Sequence, residues 1–398
     1  MATRIATGAQ QQFWATIETA FDTVEKPTAA KAVPLINLDI TPTVEFQKVM
    51  ERTGTSSLTD EVQGKSGGTW SCSFYIKPNG STVTVAPDVG EILKAAFGYE
   101  NLTGDVSYGC HSSGVEKTEP LSLQFHKRAG IHHYEVISGC WVESVEFSIT
   151  ANEIPTVTCS GGFCSYGFAF GGTLSASAAT GDTFVNVDSG TTRFKAGAYL
   201  QFNEGGTVKN NSGNFYKITS VDTVENKVYI TPNPEEALDD DTTIEAAAHD
   251  QALTTNSPVS GVDGALSLGG TEIPFISASV TMATGIKARE VATQAQPVGL
   301  SLGNREVTGS FSCFMDSSDT AASDVSRLVG GAFNGTTYSV VCRAGADTAK
   351  ARMKLRLPAA RLEVVPVEIP EAEEATANIS FIARKSSDNG DEISIDFD

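Results

Sequence analysis

The sequence predicts a mainly β protein, of β-sandwich or α+β type, in which two similar units flank a small inserted β domain. Three observations carry this. A decapeptide occurs twice: Asp88-Val89-Gly90-Glu91-Ile92-Leu93-Lys94-Ala95-Ala96-Phe97 returns as Asp324-Val325-Ser326-Arg327-Leu328-Val329-Gly330-Gly331-Ala332-Phe333. The run before each copy returns too. Trp70, Cys72, Phe74 and Ile76 alternate with polar neighbours, and Val307, Gly309, Phe311 and Cys313 do the same. Such alternation marks a half-buried strand, because successive side chains point to opposite faces. Further back, Val44 and Phe46 match Val280 and Met282, so the offset between copies stays at 236 or 237 positions. A chance decamer would not bring its upstream strands along in register, and a duplicated domain is the first hypothesis. Between the copies, short strands with Gly, Asn and Asp turns recur at roughly 8–12-residue spacing, as in a small β-barrel.

The elements follow in order. Residues 8–24 read as a helix, with Phe13, Ile17, Ala20 and Phe21 at three-to-four spacing and Pro27 ending the pattern. Residues 28–42 read as an extended arm that needs another surface to lie on, so 1–42 is an N-terminal helix and arm. The first unit spans 43–170. Its polar, Gly/Ser-rich stretch 53–67 reads as a long loop; Trp70, Cys72 and Phe74 are the core face of the next strand. Residues 87–97 form its one helix, with Pro87 at the start and Gly98 just past the end. Val89, Ile92, Leu93 and Phe97 make the packing stripe of that helix. Alternating Leu121, Leu123 and Phe125, then Val145, Phe147 and Ile149, supply further strands. The inserted domain covers 171–256. The second unit, 257–385, repeats the plan: a polar loop at 283–304, a strand with Val307, Phe311 and Cys313 inward, and a helix with Val325, Leu328, Val329 and Phe333 on its core stripe. Residues 386–398 read as an irregular acidic tail.

Composition excludes some functions. The chain of 398 residues carries 28 basic and 48 acidic side chains, a net charge of -20. Affinity for duplex DNA comes largely from Lys and Arg neutralising phosphates, so tight DNA binding is not expected. Lys350, Arg352, Lys354 and Arg356 share one face of a strand. They fit a phosphate-binding stripe or a solvated, subunit-facing surface, and the lack of interleaved aromatics favours the second. No apolar run approaches the ~20 residues of a membrane span, which predicts no membrane anchor. The N-terminus lacks a secretory h-region, which predicts a cytoplasmic site of synthesis. The seven cysteines show no C-x-x-C and are expected to be buried free thiols.

No constellation for catalysis stands out, and the chain reads as a non-enzyme without cofactor or metal. The five histidines occupy no metal-binding frame and are expected at the surface; His132 and His133, adjacent on a strand, point to opposite faces. No G-x-S-x-G, Walker A or dinucleotide fingerprint occurs. The acidic run with Asp239, Asp240 and Asp241 lacks the EF-hand spacing and reads as a solvated loop.

Phe13-Trp14-Ala15-Thr16-Ile17-Glu18-Thr19-Ala20-Phe21, then Lys26-Pro27, resembles the N-terminus of tail tube (major tail) proteins of long-tailed bacteriophages. Glu61-Val62-Gln63-Gly64-Lys65, the Trp70–Ile76 strand, the Leu93-Lys94-Ala95-Ala96-Phe97 helix end and the Leu357-Pro358-Ala359-Ala360 turn continue the resemblance. It covers the two repeated units and the arm, not the insertion. It departs at Phe21-Asp22, where an aromatic-Gly step is expected. The resemblance implies a structural virion protein made in the host cytoplasm, a sandwich with a flanking helix in each unit, and sheets that join round a ring. Homotrimeric, pseudo-hexameric rings would stack helically into a hollow tube that conducts genomic DNA without binding it tightly. It also implies contacts with terminator, tape measure and distal tail proteins. By that analogy the two polar loops stack the rings, with Thr55, Asp60, Glu61 and Lys65 in one and Lys287, Arg289 and Glu290 in the other. The terminal segments are candidate arms. A net-negative bore is expected, with the Lys350–Arg356 face pointing away. Alternatives are a baseplate hub or distal tail ring protein of the same fold, and a host-surface-binding tail protein acting through the insertion.

Overall fold

The computed structural model describes residues 10–49, 60–78, 85–314, 330–345, 352–363, 367–368, 376–385 and 391–397, apart from positions 104, 113–114, 117–118, 189, 211–212, 263 and 274. In chain order the first unit contributes β1 (Gln11–Ile17), β2 (Leu35–Val49), β3 (Asp60–Tyr75), α1 (Gly90–Phe97), β4 (Val106–Gly109), β5 (Leu123–Ala129), β6 (His133–Thr150), β7 (Thr156–Phe163) and β8 (Ser165–Ala169). The second contributes β9 (Ala265–Leu268), β10 (Phe275–Ala283), β11 (Glu306–Phe314), β12 (Thr337–Ala344), β13 (Met353–Leu362), β14 (Thr376–Arg384) and β15 (Ser394–Phe397). The fold is mainly β, as the alternating pattern predicts.

The strand path repeats. In the first unit β2 pairs β3, β3 pairs β7 and β7 pairs β6. In the second, β10 pairs β11, β11 pairs β14 and β14 pairs β13. Each unit adds a second layer in the same order. It runs β1, β5, the first half of β6, then β8 on one side, and β9, β12, β13, then β15 on the other, with β12 following β13 as far as Arg361. Thus β6 and β13 are each shared between two layers. Gly139 (φ +62°) marks the change of partners in β6, and Pro358 lies near it in β13. The layers enclose one core, in which Trp70, Cys72, Phe74, Val307, Phe311 and Cys313 are all buried.

α1 closes that core. Ile92, Leu93, Ala96 and Phe97 are buried, and Gly98 takes φ +92° to cap the helix, its N–H donating to Lys94 O at 2.8 Å. Only a residue without Cβ enters this region cheaply. The described end of the second copy, residues 330–333, differs from its counterpart. Residues 330–333 form a helical turn, and Val325, Leu328 and Val329 lie outside the described residues. Phe333, expected in the core, is 71% exposed. Gly331 stands where a Cβ would meet Tyr338 Oη at 2.1 Å, so Tyr338 occupies space that Ala95 keeps for itself in the first unit.

Four other expectations are corrected. The N-terminal helix is the strand β1: Phe13 and Ala15 face the core while Trp14, on the opposite side, is also buried. A surface helix buries one stripe, whereas here the consecutive Phe13, Trp14 and Ala15 are all buried on the two faces of a strand paired with β5. The arm and the acidic tail fold back into their own chain as β2 and β15, and β15 bridges the second unit to β4 of the first. The polar loops are in part paired strand: β2 and β3 pair out to Val49 and Asp60, with 53–59 outside the described residues, and Ile286–Arg289 pairs Gly299–Leu302. Finally, Ile40 pairs Trp70 where Met282 pairs Val307, so Leu38 and Ile40, not Val44 and Phe46, are the counterparts of Val280 and Met282. A pattern of period two is unchanged by slipping an even number of residues, so it assigns faces without fixing register.

The insertion has its own core around Val185, Phe202, Tyr216 and Val228. Its strands run in the order 172–173, 243–246, 199–204, 216–222, 227–231 and 184–186. Ser175 N–H donates to Asn186 O and Asp188 N–H to Thr173 O, which ties the two ends of that order together.

Candidate assembly seam and open sheet face

The two units meet edge to edge. Residues 144–150 of β6 pair antiparallel with 277–283 of β10: Ser148 opposite Ser279, Phe147 opposite Val280, Glu146 opposite Thr281 and Val145 opposite Met282. On the inner side Phe147, Val145, Val280 and Met282 are all at most 1% exposed. Each such side chain contributes roughly 1.5–3 kcal/mol on full burial, so the seam is a core element. Both ends are latched. Thr284 Oγ1 donates to Val142 O at 2.6 Å, and Ala151 N–H donates to Ile276 O at 2.9 Å.

Joining the units this way makes one uninterrupted layer, from β2 through β3, β7, β6, β10, β11 and β14 to β13. Its open face is a carpet of short hydroxyl side chains, because every second residue of each strand points there. One row reads Tyr75, Thr156, Ser148, Ser279, Ser310 and Ser380 across six strands. The next reads Ser73, Thr158, Glu146, Thr281 and Thr308. Ser73 and Thr158 hydroxyls lie 3.2 Å apart, and Ser279 Oγ donates to Glu146 at 3.4 Å. Asp39, Glu146, Glu306 and Glu363 lie on this face with Arg361 and Arg384, and at its β2–β3 end Glu45 and Lys65 lie near one another. Lys354 and Arg356 lie on the outer side of the other layer, beside Asp396 of β15. Both layers face one core, so their polar sides point in opposite directions.

The expected stacking residues cluster in part. Thr55 lies outside the described residues. Asp60, Glu61 and Lys65 sit on β3, Lys287 and Arg289 on the 286–289 strand, and Glu290 just after it. Lys65 Nζ forms an ion pair with Glu290, and Ser66 N–H donates to Ala295 O at 3.3 Å, so the two hairpins touch. They border a cleft of about 190 Å³ with Thr43, Trp141, Phe163 and Gln296. Gly67, which ends 53–67, and Gly68 just after it serve close approach: a Cβ on Gly67 would lie 2.8 Å from Phe163 O, and one on Gly68 2.4 Å from the Phe163 ring and 2.3 Å from Thr41 O.

Ionisable groups inside the protein bind structure together. The carboxylate of Glu18 accepts the N–H groups of Gly139 (2.7 Å) and Asp22 (2.9 Å), and Asp22 accepts the hydroxyls of Ser138 and Ser165. Burial pushes Glu18 up to about 7, and the Asp22 charge adds to this against those hydrogen bonds. Asp22 has φ +58°, the conformation an aromatic-Gly step would supply at that turn. His126 and His249 are buried, not at the surface as expected. Both face Tyr134 Oη, at 2.8 and 3.1 Å, where the insertion packs on the first unit. Burial holds His126 well below the usual imidazole range and His249 at about 3, the latter with help from Lys26 and Arg128. Glu135 goes the other way. Burial opposes its charge, yet hydrogen bonds from His133 and Tyr166 and the Lys127 charge bring it to about 2. All seven cysteines are buried free thiols. Among the described residues no three His, Cys, Asp or Glu side chains gather as metal ligands.

Sequence reasoning did not find the seam. Its signal was present: residues 277–283 alternate Ser, Ala, Ser, Val, Thr, Met, Ala, apolar inward and hydroxyl outward, like 144–150. No known protein family matches this chain, and neither does any curated protein.

Proposed function

We propose that the chain is a structural subunit of a bacteriophage tail tube, polymerising as rings that stack into a hollow conduit for DNA. The observation that carries this is the seam: two units with one strand path share a continuous sheet, so the chain already contains one of the joints from which a ring of such units is made. Closing a sheet on itself removes exposed edges, which proteins otherwise have to protect. Three chains would give a closed ring of six similar units, an arrangement favoured because closed symmetric assemblies leave no interface unsatisfied.

The open face suits the lining of such a conduit. Short hydroxyls carry no cations to exchange with phosphates, and the excess of Asp39, Glu146, Glu306 and Glu363 repels a duplex over a Debye length of about 8–10 Å. The Lys354 and Arg356 side belongs on the outside. Virion localisation, self-association and contacts with terminator, tape measure and distal tail proteins belong to the same reading. Electron microscopy of the purified protein tests it. Rings with a central channel and three-fold or pseudo-six-fold symmetry are expected; a protein that stays monomeric at high concentration, with no ring or filament, overturns the reading.

A further inference from the structure

Two thiols meet in the core of the first unit. Cys72 of β3 lies directly opposite Cys159 of β7, and both are fully buried. They stand in one inward row of Leu38, Cys72, Cys159, Val145 and Met282, across five strands. Their thiols interact directly: hydrogen bonding with Cys72, then burial, pushes the Cys159 thiol well above its ordinary range. Opposite residues of an antiparallel pair hold their Cα atoms about 4.5 or 5.5 Å apart, depending on the kind of pair. A disulfide spans about 4.4–6.8 Å between Cα atoms, so either kind of pair admits one.

The second unit shows that the fold does not need thiols at this place. Val307 holds the position of Trp70, so Gly309 stands where Cys72 stands, and its partner on β14 is Phe381. A Cβ on Gly309 would lie 2.5 Å from the Phe381 ring, so one ring covers the position that two thiols share in the first unit. Cys140 and Cys164 also lie near each other. They are not strand partners: Cys140 lies opposite Leu123, and Cys164 follows the end of β7.

We propose that Cys72 and Cys159 form a latent disulfide site, at which a small-molecule disulfide such as oxidised glutathione links their Sγ atoms and staples β3 to β7. One cysteine loses its proton, and its sulfur attacks the S–S bond of oxidised glutathione. One glutathione leaves as thiolate and takes up the proton. The second cysteine, deprotonated in turn, attacks the protein-side sulfur of the mixed disulfide and displaces the other glutathione. Both protein sulfurs are oxidised, and the glutathione disulfide is reduced to two thiols. The new bond closes a loop that runs through α1, β4, β5 and β6, which restricts the unfolded chain. It forms in an oxidising medium and opens in a reducing one. The folded core excludes the oxidant, so exchange runs through opening of the first unit, and the folded geometry selects the pair that closes. The site belongs to one chain and holds whatever that chain assembles into.

Disulfide mapping of the full-length protein tests this. The protein is equilibrated with an about tenfold excess of oxidised over reduced glutathione, in urea just below its unfolding midpoint. Free thiols are then alkylated and the chain is digested without reductant. Mass spectrometry should find the Cys72–Cys159 peptide about tenfold above any other cysteine pair. The oxidised protein should unfold at higher urea than the reduced one, and reductant should reverse the gain. Cys159→Ala should abolish both effects, and Cys313→Ala in the second unit should leave both intact. The peptide map comes from the parent protein, so it stands whether or not a variant folds. Cys72 and Cys159 recovered alkylated, carrying glutathione, or joined to other cysteines overturn the proposal. A cross-link that leaves the unfolding midpoint unchanged overturns the staple.

Discussion

Glu18 makes the stability of the first unit fall as pH rises through neutrality. Its carboxyl is 8% exposed and its affinity for a proton is raised from the ordinary 4.5 to about 7. The folded chain thus holds a proton that the unfolded chain has released, and unfolding between these values sheds one. The stabilisation from this group is complete below about 4.5 and is lost as pH climbs through about 7. At about 1.4 kcal/mol per pH unit the full span is worth roughly 3 kcal/mol. Glu18→Gln isolates it. The amide keeps one acceptor for the two N–H donors it faces and loses the other, a pH-independent cost of about 1 kcal/mol. Urea denaturation of parent and variant at half-unit steps from pH 4.5 to 8 gives a difference curve. His249 and His126 contribute equally to both proteins and cancel. The parent should lose about 3 kcal/mol relative to the variant across this range. A difference curve flat within about 0.5 kcal/mol refutes the assignment of burial as the dominant influence on Glu18.

Other expectations follow from single groups. His249, held at about 3, binds no proton in the fold where the unfolded chain does, so stability should drop as pH falls below about 6.5. His249→Asn should make that acid limb shallower, with His126 still contributing to it, read by denaturation between pH 4 and 6.5. Met282→Ala, at the fully buried centre of the seam, should cost about 2–5 kcal/mol in the dissociated protein. Phe333→Ala should cost under about 0.5 kcal/mol despite its place in the repeat, because it is exposed; chemical denaturation ranks the two. Gly68→Ala should destabilise by about 1–3 kcal/mol, since the added methyl meets Thr41 O and the Phe163 ring, and a melting temperature unchanged from the parent would contradict that packing.

Much of the sheet was legible because alternation reports faces directly. Trp70, Cys72 and Phe74 and their counterparts Val307, Phe311 and Cys313 read correctly as inward. Register was not legible. Val44 and Phe46 fit the pattern as well as Leu38 and Ile40 do, and only the partner strand distinguishes them. Phe13 and Ile17 show why a helical stripe can mislead: the segment is covered on both faces, and Trp14, between them, reaches Asp250 O and the His249 ring. The buried histidines were missed for a related reason, since local polarity says nothing about a pocket built by residues 100 positions away. The seam lay in the spacing between two ordinary-looking strands, and sequence periodicity carries no record of which edges meet.

A side-chain-resolution reconstruction of the assembled particle tests the central claim most directly, by showing which surface borders the channel. The account predicts Ser148, Ser279 and Ser310 in the wall of a closed bore, with Lys354 and Arg356 at its outer radius. Those serines on the outside, or an assembly with no passage through it, would contradict it.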